Sequence, residues 1–133
     1  MQHEWEAGEA KKAYDAAMVR LRRDLPAVVE HDRLVDYASG KGGRTRYTHA
    51  SLAAIIEVAT PPLTAHGFTL TSRTSTPTPH SVEVTSVLAH EAGHHESSTM
   101  TAPVDTSGSK NPIQGIASTS TYLRRYQATD LLG

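Results

Sequence analysis

The chain has 133 residues, room for one compact domain of ordinary size. Only 24 positions are Leu, Ile, Val or Phe, while 28 are Ser or Thr, and the net charge is −1. That combination points to a polar, partly strand-rich domain with a thin core that gains from self-association. With no cysteine there is no disulfide framework, thiolate metal site or thiol nucleophile, and the simpler expectation is an intracellular, cytoplasmic location. No apolar run approaches about 18 residues, so no membrane partner is expected.

Charge is unevenly distributed. Residues 1–40 carry 6 basic and 8 acidic groups, and residues 41–133 carry 7 basic and 6 acidic. Any polyanion site must therefore be local.

Residues 4–24 predict an amphipathic helix, with Ala10, Ala13, Tyr14, Ala17, Met18 and Leu21 recurring on one face. Pro26 should end or restart it, leaving a second short helix over 27–38 that includes Val28. Tyr14, Met18, Leu21 and Val28 are the expected oligomer contacts, and residues 1–40 a helical segment distinct from a core over 41–133. Ser39–Arg46 is a glycine-rich basic loop. Thr48 then suits the N-cap of a helix from His49, with Leu52, Ile55, Ile56, Ala59 and Leu63 as its buried stripe. Pro61 and Pro62 should kink or restart that helix, with Thr60 as a new cap and Pro61 at the first helical position, and Gly67 should close it.

From Phe68 the apolar period drops to two. Strands are predicted over 68–73, from Val82 to about His90, and over 96–103, with TSTPTPH as a loop between the first two. DTSGSKNP reads as a loop, and Ile113–Leu132 as a helix. The expected architecture is α+β: one or two N-terminal helices, another helix, a three-stranded antiparallel meander and a C-terminal helix.

His90-Glu91-Ala92-Gly93-His94 fits the H-E-x-x-H spacing of zinc peptidases, in which one helical turn brings both imidazoles to the metal. The preceding alternation of β-branched residues, and Gly93 at a turn position, predict a hairpin instead. A zinc-dependent hydrolase is thus the alternative reading, and neither an enzymatic activity nor a cofactor is expected. GKGGRTR also lacks the spacing of a nucleotide-binding P-loop.

Two basic-aromatic clusters remain: Lys41, Arg44, Arg46 and Tyr47, and in the last helix Tyr122, Arg124, Arg125 and Tyr126. Guanidinium groups pair with phosphates in a two-pronged geometry, and phenol rings stack on any base. Those are the ingredients of sequence-neutral single-strand binding. Lys110 is a further candidate phosphate contact.

The segment NPIQGIASTSTYLRRYQATDLLG resembles the signature of the ERF (essential recombination function) family of phage single-strand annealing proteins. The matching positions are Asn111, Gln114, Ser118, Thr121, Tyr122, Arg124, Arg125 and Tyr126. YTHASLAAIIEVATPPLTAHGF and TSVLAHEAGHHESS are similar to two further blocks, so the resemblance spans about 41–133. Ala117 stands where the family usually has Gly, and His49 where a second Tyr is common. The resemblance implies single-stranded DNA binding and ATP-independent annealing in phage homologous recombination. It also implies a ring or helical homo-oligomer in a bacterial host, with a host single-strand-binding protein or a phage exonuclease as candidate partners.

Overall fold

The computed structural model describes residues 2–39 and 51–133, with the side chains of the first helix described from His3 to Leu25. Among the described residues, three helices and one antiparallel sheet follow in the order α1 (Gln2–Ser39), α2 (Leu52–Ala65), β1 (Phe68–Thr78), β2 (Ser81–His90), β3 (His95–Pro103) and α3 (Pro112–Leu132). The strand order β1-β2-β3 makes the sheet a meander, and the class is the expected α+β. Among the described residues, no helix is long and apolar enough to cross a membrane. The chain divides into two compact units. One comprises residues 1–69 and 89–95, the other 70–88 and 96–133. The expected boundary at 40/41 falls outside the described residues.

In the first unit, α1 packs on α2. Tyr14, Ala17, Met18, Leu21 and Leu25 of α1 are buried with Ala59 and Leu63 of α2 and Phe68 at the start of β1. Tyr14 meets Phe68 edge to face, ring centroids 5.3 Å apart. The helix does not break at Pro26: the backbone stays helical to Ser39, so the second short helix is a continuation of the first. A proline φ is itself helical, so the ring removes one backbone hydrogen bond without taking the chain out of the helix.

α2 departs from the sequence reading in three ways. Its N-cap is Ser51, whose hydroxyl accepts the Ala54 N–H at 3.1 Å; Thr48 and His49 lie outside the described residues. Pro61 and Pro62 sit inside one uninterrupted helix, and Thr60 is no cap, its hydroxyl donating back to the Ile56 carbonyl at 2.5 Å. Ile56 is exposed, because only Ala59 and Leu63 of the stripe turn fully inward. Gly67 ends the helix at φ +80, as its position predicts.

In the second unit, β2 alternates strictly, with Val82, Val84, Ser86 and Leu88 buried. Val82 and Val84 form a core with Leu123 of α3, edged by Met100, Ala102, Val104 and Ile116. β1 runs on to Thr78, through the segment read as a loop. Pro77 is tolerated there because β1 is an edge strand, and only Pro79-His80 turns. Hydroxyl pairs supplement the thin apolar core, Ser72 with Ser86 and Thr74 with Ser120, both at 2.8 Å, while Thr85 meets Thr99 at 2.9 Å on the outer face of the sheet. The abundance of Ser and Thr thus has a structural use.

Candidate nucleic-acid interface

α3 begins with a capping box. The Asn111 side chain accepts the Gln114 N–H at 2.8 Å, and the Gln114 side chain accepts the Asn111 N–H at 3.0 Å. One turn on, Gly115 lies so close to the preceding loop that a Cβ there would stand 2.4 Å from the Asp105 carbonyl oxygen. Asp105 holds that loop, accepting from the Ser107 N–H and hydroxyl and from Ser118 at 2.6 Å, with Lys110 at 3.4 Å. These hydrogen bonds and the Lys110 charge hold its carboxyl well below the usual carboxylate range. The glycine needed for close approach is therefore Gly115, while Ala117 is exposed.

The buried stripe of α3 comprises Gly115, Thr119, Ser120, Leu123, Gln127, Ala128 and Leu132. Tyr122 and Tyr126 border that stripe, seven residues after Gly115 and Thr119, yet stay 53% and 37% exposed, with ring centroids 4.9 Å apart. The Arg125 guanidinium lies 5.3 Å from the Tyr122 ring centre and 5.2 Å from that of Tyr126. Tyr122 donates to Tyr126, which pushes the Tyr122 hydroxyl up; donation from Tyr122 and then from Arg125 draws the Tyr126 hydroxyl down. Two aromatic faces and one cation thus share an outward patch, prearranged by helical spacing.

The other expected contacts fall elsewhere. Arg124 points away from the patch, half-buried, its Nε closed to solvent without a hydrogen-bond acceptor among the described residues. Lys110 is engaged with Asp105 and with Ser107, whose carbonyl and hydroxyl it meets at 3.3 and 3.2 Å. Lys41, Arg44, Arg46 and Tyr47 lie outside the described residues. Of the expected oligomer contacts, Tyr14, Met18 and Leu21 are buried within the chain's own first unit, and the Val28 side chain lies outside the described residues.

His90 and His94 close the β2–β3 hairpin: the His90 N–H donates to the His94 carbonyl at 2.9 Å, and Gly93 turns at φ +113. Both rings pack edge-on against Tyr14, at 6.3 and 4.8 Å between centroids. The helical turn that H-E-x-x-H chemistry requires is replaced by a turn between strands. Among the described residues, no group of three His, Cys, Asp or Glu is placed to hold a metal ion.

Sequence reasoning missed Gln127, which is fully buried. Its amide donates to the carbonyls of Val84 at 2.7 Å and Ser98 at 2.9 Å, and its oxygen accepts from Ser86. Its position four residues after Leu123, on the same stripe, was the available signal.

No curated protein and no solved structure matches the chain significantly. The ERF superfamily model, in contrast, matches residues 15–133, running from within α1 through the sheet and all of α3. A match over so much of the chain, including every α3 residue in the patch, shows that the protein belongs to the ERF superfamily of phage recombination and annealing proteins.

Proposed function

We propose that the chain binds single-stranded DNA and pairs complementary strands without ATP or a metal cofactor, acting as an oligomer in the cytoplasm of a bacterial host. It is a binding and pairing protein, not an enzyme. The observation that supports this most directly is the Tyr122–Arg125–Tyr126 cluster, in which both rings are exposed and the guanidinium lies against them. A ring face accepts any base, and a guanidinium beside it engages the adjoining phosphate, so grip is independent of sequence. Lys41, Arg44 and Arg46 extend the phosphate contacts, with Tyr47 as a further stacking ring. Lys110 and Arg124 are secondary contacts, since one is already paired and the other has its Nε closed to solvent.

Annealing also requires release. A few weak phosphate contacts per copy, repeated through an assembly, hold a strand extended yet let the duplex leave. Such a protein works beside others that expose or coat single strands, which fits a phage exonuclease or a host single-strand-binding protein as partner.

The test is conversion of two complementary labelled oligonucleotides to duplex, without nucleotide and with or without chelator. The expected result is acceleration in both arms, reduced at least tenfold in a Tyr122→Ala/Arg125→Ala double variant. Acceleration abolished by chelator, or unaffected by the double variant, would overturn the proposal.

A further inference from the structure

The outer side of α1 carries a second pattern. Opposite the buried Tyr14, Ala17, Met18, Leu21 and Leu25, positions 5, 9, 12, 16, 19 and 23 recur at alternating steps of four and three. That spacing lays Trp5, Glu9, Lys12, Ala16, Val19 and Arg23 along one straight seam, about 27 Å long at the helical rise. All six are exposed, and two are large apolar residues near its two ends: Trp5 at 67% and Val19 at 56%.

Charge along the seam is sorted by position. Glu9 and Lys12 neutralise each other at 3.3 Å, as Lys11 and Asp15 do at 3.0 Å. Glu6 near one end and Arg20 near the other flank the seam on the same side, and neither has an ion pair among the described residues.

We propose that α1 is the docking surface for the α1 helix of a second copy of this chain, the two helices running antiparallel about a two-fold axis near position 14. In that register Trp5 meets Arg23, a ring against a guanidinium, while Val19 lies over the Glu9 stem and Ala16 over Lys12. Glu6 meets Arg20. Each contact occurs twice, as two-fold symmetry demands. A parallel pairing would instead set Arg23 on Arg23, Lys12 on Lys12 and Glu9 on Glu9. Asp15 falls near the axis with its charge already met by Lys11. The surface is distinct from Tyr14, Met18 and Leu21, which face inward, and it does not depend on the DNA-binding reading.

The experiment is sedimentation velocity on the full chain without DNA, with helical content checked by circular dichroism. Arg20→Glu and Glu6→Arg, both at exposed positions, should each weaken self-association at least tenfold. Mixing the two variants should restore it, because each reversed charge then meets its complement. Trp5→Ala should weaken it as well. Unchanged self-association in either charge variant, or no recovery on mixing, overturns the proposal. So would an Arg20→Glu variant that associates normally but loses affinity for an oligonucleotide, since the face would then be a phosphate contact.

Discussion

The Gln127 side-chain oxygen accepts the Ser86 hydroxyl at 2.7 Å, at a point where α3 and β2 are both closed to solvent. The same amide spends its two N–H donors on the Val84 and Ser98 carbonyls, so it is satisfied at every position and ties the helix to two strands. Because Tyr126 and Arg125 precede it directly, this clamp also sets which way the candidate interface faces.

Gln127→Leu keeps most of the volume but strands the Ser86 hydroxyl and two carbonyls. Unpaired buried groups cost about 1–3 kcal/mol each, partly relieved by the Ser72 contact to Ser86. The expected loss is about 3 kcal/mol, read as a fall in Tm of roughly 8 °C for a chain of this size. A shift under 2 °C would show that the clamp does not stabilise the fold.

At the patch itself, ring and cation should separate by salt dependence. Arg125→Ala should flatten the slope of log affinity against log salt for oligo(dT) by about 0.7, the value for one phosphate on a single strand. Tyr122→Ala should lower affinity by about 1–3 kcal/mol with the slope unchanged, because stacking releases no counterion. Fluorescence anisotropy over a salt series distinguishes the two.

Much of this was legible in the sequence, for physical reasons. Strict alternation fixed the inward face of β2, and the stripe from Tyr14 to Leu21 fixed that of α1, because burial enforces periodicity. Proline misled three times, at Pro26, at Pro61-Pro62 and at Pro77: a proline φ is itself helical, and an edge strand has no ladder bond to lose on its outer side. In the candidate site, spacing brought Tyr122 and Tyr126 together but left open whether they face core or water. Which of Arg124 and Arg125 joins them depends on how α3 seats on the sheet, and that rests on Gln127. A buried polar residue of this kind carries no hydropathy signal.

Asp105 gives the fold an acid sensitivity. Its folded pKa is depressed, so the unfolded chain binds more protons as pH falls, and its stabilising contribution is present above the usual carboxylate range and lost below it. Stability measured by urea midpoint should therefore fall as the pH is lowered from 5 toward 2, and Asp105→Asn should remove part of that dependence. An unaltered pH profile in the variant would show that the loop does not report on folding.

Gly115 offers the sharpest steric test. An added Cβ would stand 2.4 Å from the Asp105 carbonyl and 2.8 Å from a Val104 methyl group, and the oxygen belongs to backbone held by Asp105 and Thr119. The loop cannot yield without releasing the Asp105 N–H from the Thr119 hydroxyl at 2.9 Å. Gly115→Ala should therefore destabilise by about 1–3 kcal/mol, although alanine is the better helix former by about 1 kcal/mol. Ala117→Gly, at an exposed position two residues on, should cost only that propensity difference. Equal or reversed effects in a urea titration would mean that the loop is not pressed against the helix there.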